Sequence, residues 1–126
     1  MNKLQKRIYI SAESIIQYAN SIEFPLQTAN GELIAPATMP IIFWQEFDVP
    51  WLPKNEPLIH GSQQFIYEEP LTAGMTLNCE LSLHKVEEKA GRQGNLTLYT
   101  HSLVCTRENN LIVTAETVLI FVGDGK

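Results

Sequence analysis

Three histidines, two cysteines and one apolar helix start are the places in this sequence where chemistry could sit. His60 has the most suggestive setting, near the head of "IHGSQQFIYEEPLTAGM", residues 59–75. An imidazole can donate, accept or titrate near neutrality. Gly61 follows it, then Phe65 and Tyr67 alternate with Ile66 and Glu68, and the stretch closes on Pro70 and Gly74. His60 therefore stands at the mouth of a strand. It either bonds a nearby carbonyl as a turn residue or meets the polar end of a ligand. No carboxylate in view would orient it, so nothing marks it as a general base. His84 and His101 fall inside strand patterns, where a satisfied or solvent-facing histidine is expected. Cys79 and Cys105 have no metal-ligand spacing and are too few for a disulfide framework. They read as buried thiols, and no metal or cofactor is expected.

Thr38 and Met39 begin an apolar helix, and the backbone N–H groups there could stabilise negative charge on a reacting oxygen. Phe43, Trp44, Phe65 and Tyr67 recur at helix and strand spacing. They are either core or the wall of an apolar channel. Gly61 and Gly74 read as tight backbone positions. Glu68 and Glu69 read as a solvated strand end.

The elements that would position these residues follow from periodicity. Residues 1–10 are extended. Ser11 caps a helix with Glu13 in its first turn, and Ile15, Tyr18, Ala19 and Ile22 recur at helical spacing before Pro25 stops it. "QTANGELIAPAT" reads as loop around the Asn30-Gly31 turn. "TMPIIFWQEF" carries Pro40 in a first turn and is apolar almost all round, which predicts a buried helix over about 39–47. Three prolines make "DVPWLPKNEP" a loop. Beyond it everything reads as strand. Leu77, Cys79, Leu81 and Leu83 share one face, "LTLYTHSLVCT" is apolar on both faces, and "LIVTAETVLIFV" closes the chain, with turns at "EEKAGRQGN" and "RENN". The economical packing is α+β: a hot-dog fold, a curved antiparallel sheet wrapped around a central apolar helix. Its open edges predict a dimer or heteromer.

The 126 residues suit one domain, 1–126, which buries roughly two-thirds of its unfolded surface. A net charge of −5 argues against nucleic acid as a partner. No run approaches the roughly 20 apolar residues of a membrane span. The basic start "MNKLQKRIYI" is followed by neither the apolar run nor the cleavage site of a signal peptide, so a cytoplasmic location is expected.

"IAPATMP", "IHGSQQFIYEEPLTAGMTL", "GRQGNLTLYT" and "LIVTAETVLI", in that order, resemble the N-terminal dehydratase domain of the MaoC-like family. Its relatives include accessory subunits of (R)-3-hydroxyacyl-ACP dehydratases. The resemblance runs from about Ser11 to Ile120. It implies a hot-dog fold, an acyl thioester on coenzyme A or acyl carrier protein as ligand, and dimeric or pseudo-dimeric assembly. Active members carry Asp-x-Asn-Pro-(Leu/Ile/Val)-His, whose Asp and His hold and activate the water that adds to a 2-enoyl thioester. The matching stretch here is "IEFPLQ", residues 22–27. Pro25 and Leu26 agree with the motif, but the Asp position falls on Ile22 and the His position on Gln27. Neither can transfer a proton, and Glu23 lies one residue out of register.

Two classes of function follow. In the first, the chain is a non-catalytic or half-site subunit that binds acyl thioester through His60, Gly61, Thr38, Met39, Phe43, Trp44, Phe65 and Tyr67, while a catalytic hot-dog subunit supplies Asp and His. In the second, it is an independent acyl-CoA thioesterase using Glu46 on the buried helix, or an acyl-CoA-binding module.

Overall fold

The computed structural model describes residues 2–53, 58–92 and 94–123. Five antiparallel strands form one sheet in the order β1-β5-β6-β7-β4. They are β1 (Lys3–Tyr9), β4 (Leu58–Tyr67), β5 (Thr76–Gly91), β6 (Gly94–Arg107) and β7 (Asn110–Val122). The chain thus leaves β1 at one edge and enters β4 at the other. Between them come α1 (Ala12–Ser21), a small hairpin of β2 (Gln27–Ala29) and β3 (Glu32–Ile34), and a 3-10 helix, Met39–Glu46. Among the described residues no helix is long and apolar enough to cross a membrane.

Local chemistry explains most of these elements. Ser11 caps α1: its hydroxyl accepts from the Ser14 N–H at 3.0 Å. The helix stops at Ser21, earlier than Pro25 requires, because Glu23 turns left-handed (φ 55°). The segment read as loop holds the β2–β3 hairpin, closed by Asn30 (φ 54°) and Gly31 (φ 79°), the pair of positive φ values that matches strand twist. Glu108 and Asn109 close β6 onto β7 in the same way. "EEKAGRQGN" is mostly strand, since β5 runs to Gly91 and β6 resumes at Gly94.

The inner face of the sheet carries Leu77, Cys79 and Leu81 on β5, Leu103 and Cys105 on β6, and Val113 and Ala115 on β7, all buried. Ile8, Ile10, Ile15, Met39, Phe43 and Leu71 close the core over it. Cys79 and Cys105, 26 residues apart, are direct cross-strand partners, and one thiol donates to the other at 3.3 Å. That hydrogen bond and burial push the Cys105 thiol well above its ordinary pKa.

The central helix differs from expectation. It is a 3-10 helix, and only Met39, Pro40 and Phe43 are buried. Ile41, Ile42 and Trp44 are half-buried, and Gln45 and Glu46 face solvent. At three residues per turn Pro40 and Phe43 eclipse each other, so one narrow ridge enters the core and the rest of the apolar surface lies at its margin.

Candidate functional site

The residues singled out from sequence fall into two groups at opposite ends of the central helix. At its start, the Tyr67 hydroxyl donates to the Ala37 carbonyl at 2.7 Å, and the Tyr18 and Thr38 hydroxyls share a 2.6 Å hydrogen bond. Burial pushes the Tyr67 phenol above its ordinary range and keeps it protonated. Thr38 occupies the cap position, but its side chain makes no capping bond because Tyr18 holds it. Met39 donates its N–H to Pro36 O, Pro40 has none, and Ile41 donates to Thr38 O. The 3-10 turn thus uses the Met39 and Ile41 donors itself.

At the other end lies a row of polar side chains across the inner face. Strand register sets His101 opposite Thr117 and Thr117 opposite Gln63. His101 is fully buried between two tryptophans. Trp44 meets it edge-on (centroids 4.8 Å, 79°), and Trp51 lies nearly parallel (6.0 Å, 23°). Trp51 Nε1–H donates to His101 Nε2 at 2.9 Å, and His101 Nδ1–H donates to the Tyr99 carbonyl at 3.1 Å. Burial outweighs these carbonyl contacts and lowers the His101 pKa to about 4, so the ring is neutral near pH 7. Thr117 O–H donates to Gln63 Oε1 at 2.7 Å, and the imidazole of His60 donates from Nε2 to the same oxygen at 3.0 Å.

The His60–Gln63 bond depends on a backbone irregularity. Residues three apart on a regular strand point to opposite faces. Here β4 bulges between His60 and Ser62, and Gly61 is the extra residue. His60 opposite Leu119 and Gln63 opposite Thr117 consequently share the inner face. A Cβ on Gly61 would lie 2.6 Å from Ile120 Cδ1 and 3.2 Å from the Val118 carbonyl oxygen, so any larger residue here must displace the Ile120 side chain. The strand starts at Leu58, and His60 is within it rather than in a turn before it.

The remaining predicted residues divide as follows. Met39 and Phe43 are core, Phe65 is half-buried against the core, and Trp44 reaches His101. Ile22 and Gln27, where the acid–base pair would stand, are exposed, as is Glu23. Glu46, the candidate thioesterase acid, is exposed at the helix end and not on a buried face. Sequence reading missed Gln63, Thr117, Trp51 and Tyr18. The parity of His101 with Leu103 and Cys105 on β6 was a usable signal that it points inward. Two surface hollows, of about 730 Å³ on Gln5, Lys6, Arg7, Asn78, Cys79, Glu80, Val104, Thr106 and Asn109 and of about 190 Å³ on Glu69, Arg107, Glu108, Asn110 and Ile112, include none of these site residues.

A family model described as "FAS1-like, dehydratase domain region" matches residues 3–115, nearly all the sheet and both helices. The chain belongs to this dehydratase family, and its fold is the MaoC-like hot dog. A UPF0336 protein of Thermobifida fusca is 31% identical over 99 residues, 74% of this chain and 63% of that relative, so the chain spans under two-thirds of the relative's length. Among solved structures, the C-terminally truncated HadBC complex (3R-hydroxyacyl-ACP dehydratase) of Mycobacterium tuberculosis superposes with a TM-score of 0.71. It is 18% identical and covers 94% of this chain and 96% of that one. The ChsH1–ChsH2 complex of the same organism gives 0.70 at 10% identity, covering 98% and 84%. At such identities the likeness establishes the shared fold.

Proposed function

We propose that this dehydratase-family chain binds an acyl thioester, on coenzyme A or acyl carrier protein, as the non-catalytic or half-site subunit of an (R)-3-hydroxyacyl dehydratase/2-enoyl hydratase. A partner hot-dog subunit supplies the Asp and His. The observation that carries this reading is the company the histidines keep. His60 is hydrogen-bonded to an amide, and His101 to an indole and a carbonyl. Hydration moves a proton to the α-carbon while water adds at the β-carbon, which needs a placed and tuned base. An imidazole held only by neutral partners can position a ligand but is poorly equipped for that transfer. In this reading Trp44, Phe65 and Tyr67 wall the acyl path, Met39 and Phe43 hold the helix that bounds it, and His60 and Gly61 shape its polar end. Thr38 fixes the helix start through Tyr18. The two heteromeric structural neighbours support assembly with a second subunit. No observation favours the thioesterase alternative, given the exposure of Glu46.

The test is crotonyl-CoA hydration followed by loss of enoyl absorbance. The chain alone should run barely above the uncatalysed rate, and adding a subunit with the intact Asp-x-Asn-Pro-x-His motif should raise it by orders of magnitude. Turnover by the chain alone at about 1 s⁻¹ or faster, an ordinary enzyme rate, abolished by His60→Ala, would sink the proposal.

A further inference from the structure

The side-chain amide of Gln63 is held with one half satisfied and the other half empty. Its oxygen accepts two hydrogen bonds, from Thr117 at 2.7 Å and from His60 at 3.0 Å, which fills both lone pairs. Its Nε2 is sealed from solvent and has no partner among the described residues. No other buried side-chain nitrogen or oxygen among them is left so. A desolvated N–H pair without an acceptor is costly, and such an exception needs a cause. With Thr117 and His60 both on the oxygen, the nitrogen faces away from the two of them. Gln63 lies on the open edge strand and is half-buried as a residue, next to His60 and in the same cross-strand row as Thr117 and His101, which Trp44 of the central helix meets edge-on.

We propose that Gln63 is a ligand-recognition residue whose Nε2–H donates to the carbonyl oxygen of the bound acyl thioester, with Thr117 and His60 as the residues that orient it. The inference rests on the thioester-binding reading above. Carbonyl oxygens accept without carrying a charge, which suits a neutral amide donor. His60 then acts through Gln63 as a positioning residue.

The test compares butyryl-CoA with S-butyl-CoA, a thioether lacking the carbonyl oxygen, by calorimetric titration of the purified chain. The wild type should bind butyryl-CoA about tenfold more tightly, the worth of one neutral hydrogen bond. Gln63→Met and Gln63→Glu, checked for unchanged melting temperature, should bind the two within about twofold of each other, the difference no longer resting on that bond. The Gln63 side-chain amide resonances should shift with butyryl-CoA and stay still with S-butyl-CoA, a readout that needs no folded variant. If the wild type binds both ligands equally, or the variants keep the tenfold preference, the Gln63 assignment is overturned and thioester binding stands. If the wild type binds neither, both fall together.

Discussion

The two edges of the sheet solve the same problem in opposite ways. Each edge strand leaves backbone donors and acceptors unpaired on one side. β1 is seven residues long, carries Lys3, Lys6 and Arg7, and keeps regular register with β5 throughout. One of these charges is answered locally: Lys3 lies 3.8 Å from Glu80, a carboxylate that also accepts from the Gln5 amide at 3.0 Å. β4 is ten residues long and has no Lys, Arg, Asp or Glu between Leu58 and Tyr67. It exposes Leu58, Ile59 and Ile66, each by about half of its surface. Cations on an edge repel another strand, whereas apolar and amide side chains invite one. The edge left unguarded is also the one that carries the bulge, His60 and Gln63. Assembly and ligand recognition are therefore expected to share β4, with β1 as the closed end.

This contrast can be broken most forcefully by moving charge from one edge to the other. Ile59→Lys with Ile66→Lys should raise the dissociation constant of any assembly by about 100-fold or more, some 2.7 kcal/mol, so light scattering should return the 14.2 kDa monomer. Lys3→Gln with Lys6→Gln should leave the assembly mass unchanged. An oligomer that survives the β4 change and dissolves on the β1 change would reverse the assignment of edges.

A second effect comes from the polar row that ends at β4. His101 titrates at about 4 in the fold, below its ordinary value near 6.5. Between these values the unfolded chain binds a proton that the native chain does not. Stability is therefore intact above about pH 6.5 and declines as pH falls toward 4, by roughly 2 kcal/mol at pH 5. Urea titrations at pH 7 and pH 5 measure it, and His101→Gln should remove most of the difference. A wild-type chain equally stable at both would show that His101 is not held neutral.

Smaller still is the bulge itself. Gly61→Ala should cost about 1 kcal/mol, the low end of the overpacking range, since the Ile120 side chain must shift, and should weaken butyryl-CoA binding by separating His60 from Gln63. On β1 the matching change, Gln5→Ala, should stay within about 0.5 kcal/mol, as for exposed sites generally. Least of all, Lys3→Ala should shift stability by no more than a few tenths of a kcal/mol, because its ion pair with Glu80 is largely solvated. A β1 substitution that rivalled Gly61→Ala would show that the two edges are equally constrained.

Much of the fold was legible from local chemistry. Alternation at Leu77, Cys79, Leu81 and Leu83 marked β5 and its inner face, because a strand's side-chain period of two does not depend on what lies across from it. Ser11 and Asn30-Gly31 acted as local signals for the same reason: a cap and a turn are settled within a few residues. The exposed stretch Ile22–Gln27 was legible too, since the side chains a motif lacks can be read directly. The site was not. Trp51 meets His101 across 50 residues of chain, Gln63 meets Thr117 across 54, and Cys79 faces Cys105 across 26. The last two pairings exist only once register is set, a property of two strands together, and the first only once the loop holding Trp51 packs on the sheet. The bulge at Gly61 shifts the parity of β4 by one, so the alternation that placed Phe65 and Tyr67 correctly could not place His60 beside Gln63. Sequence alone determined the long strands, the capped helix α1 and which of their faces are apolar. The tertiary structure decided which polar groups on those faces meet, and that Gln63 would be left with an N–H to give.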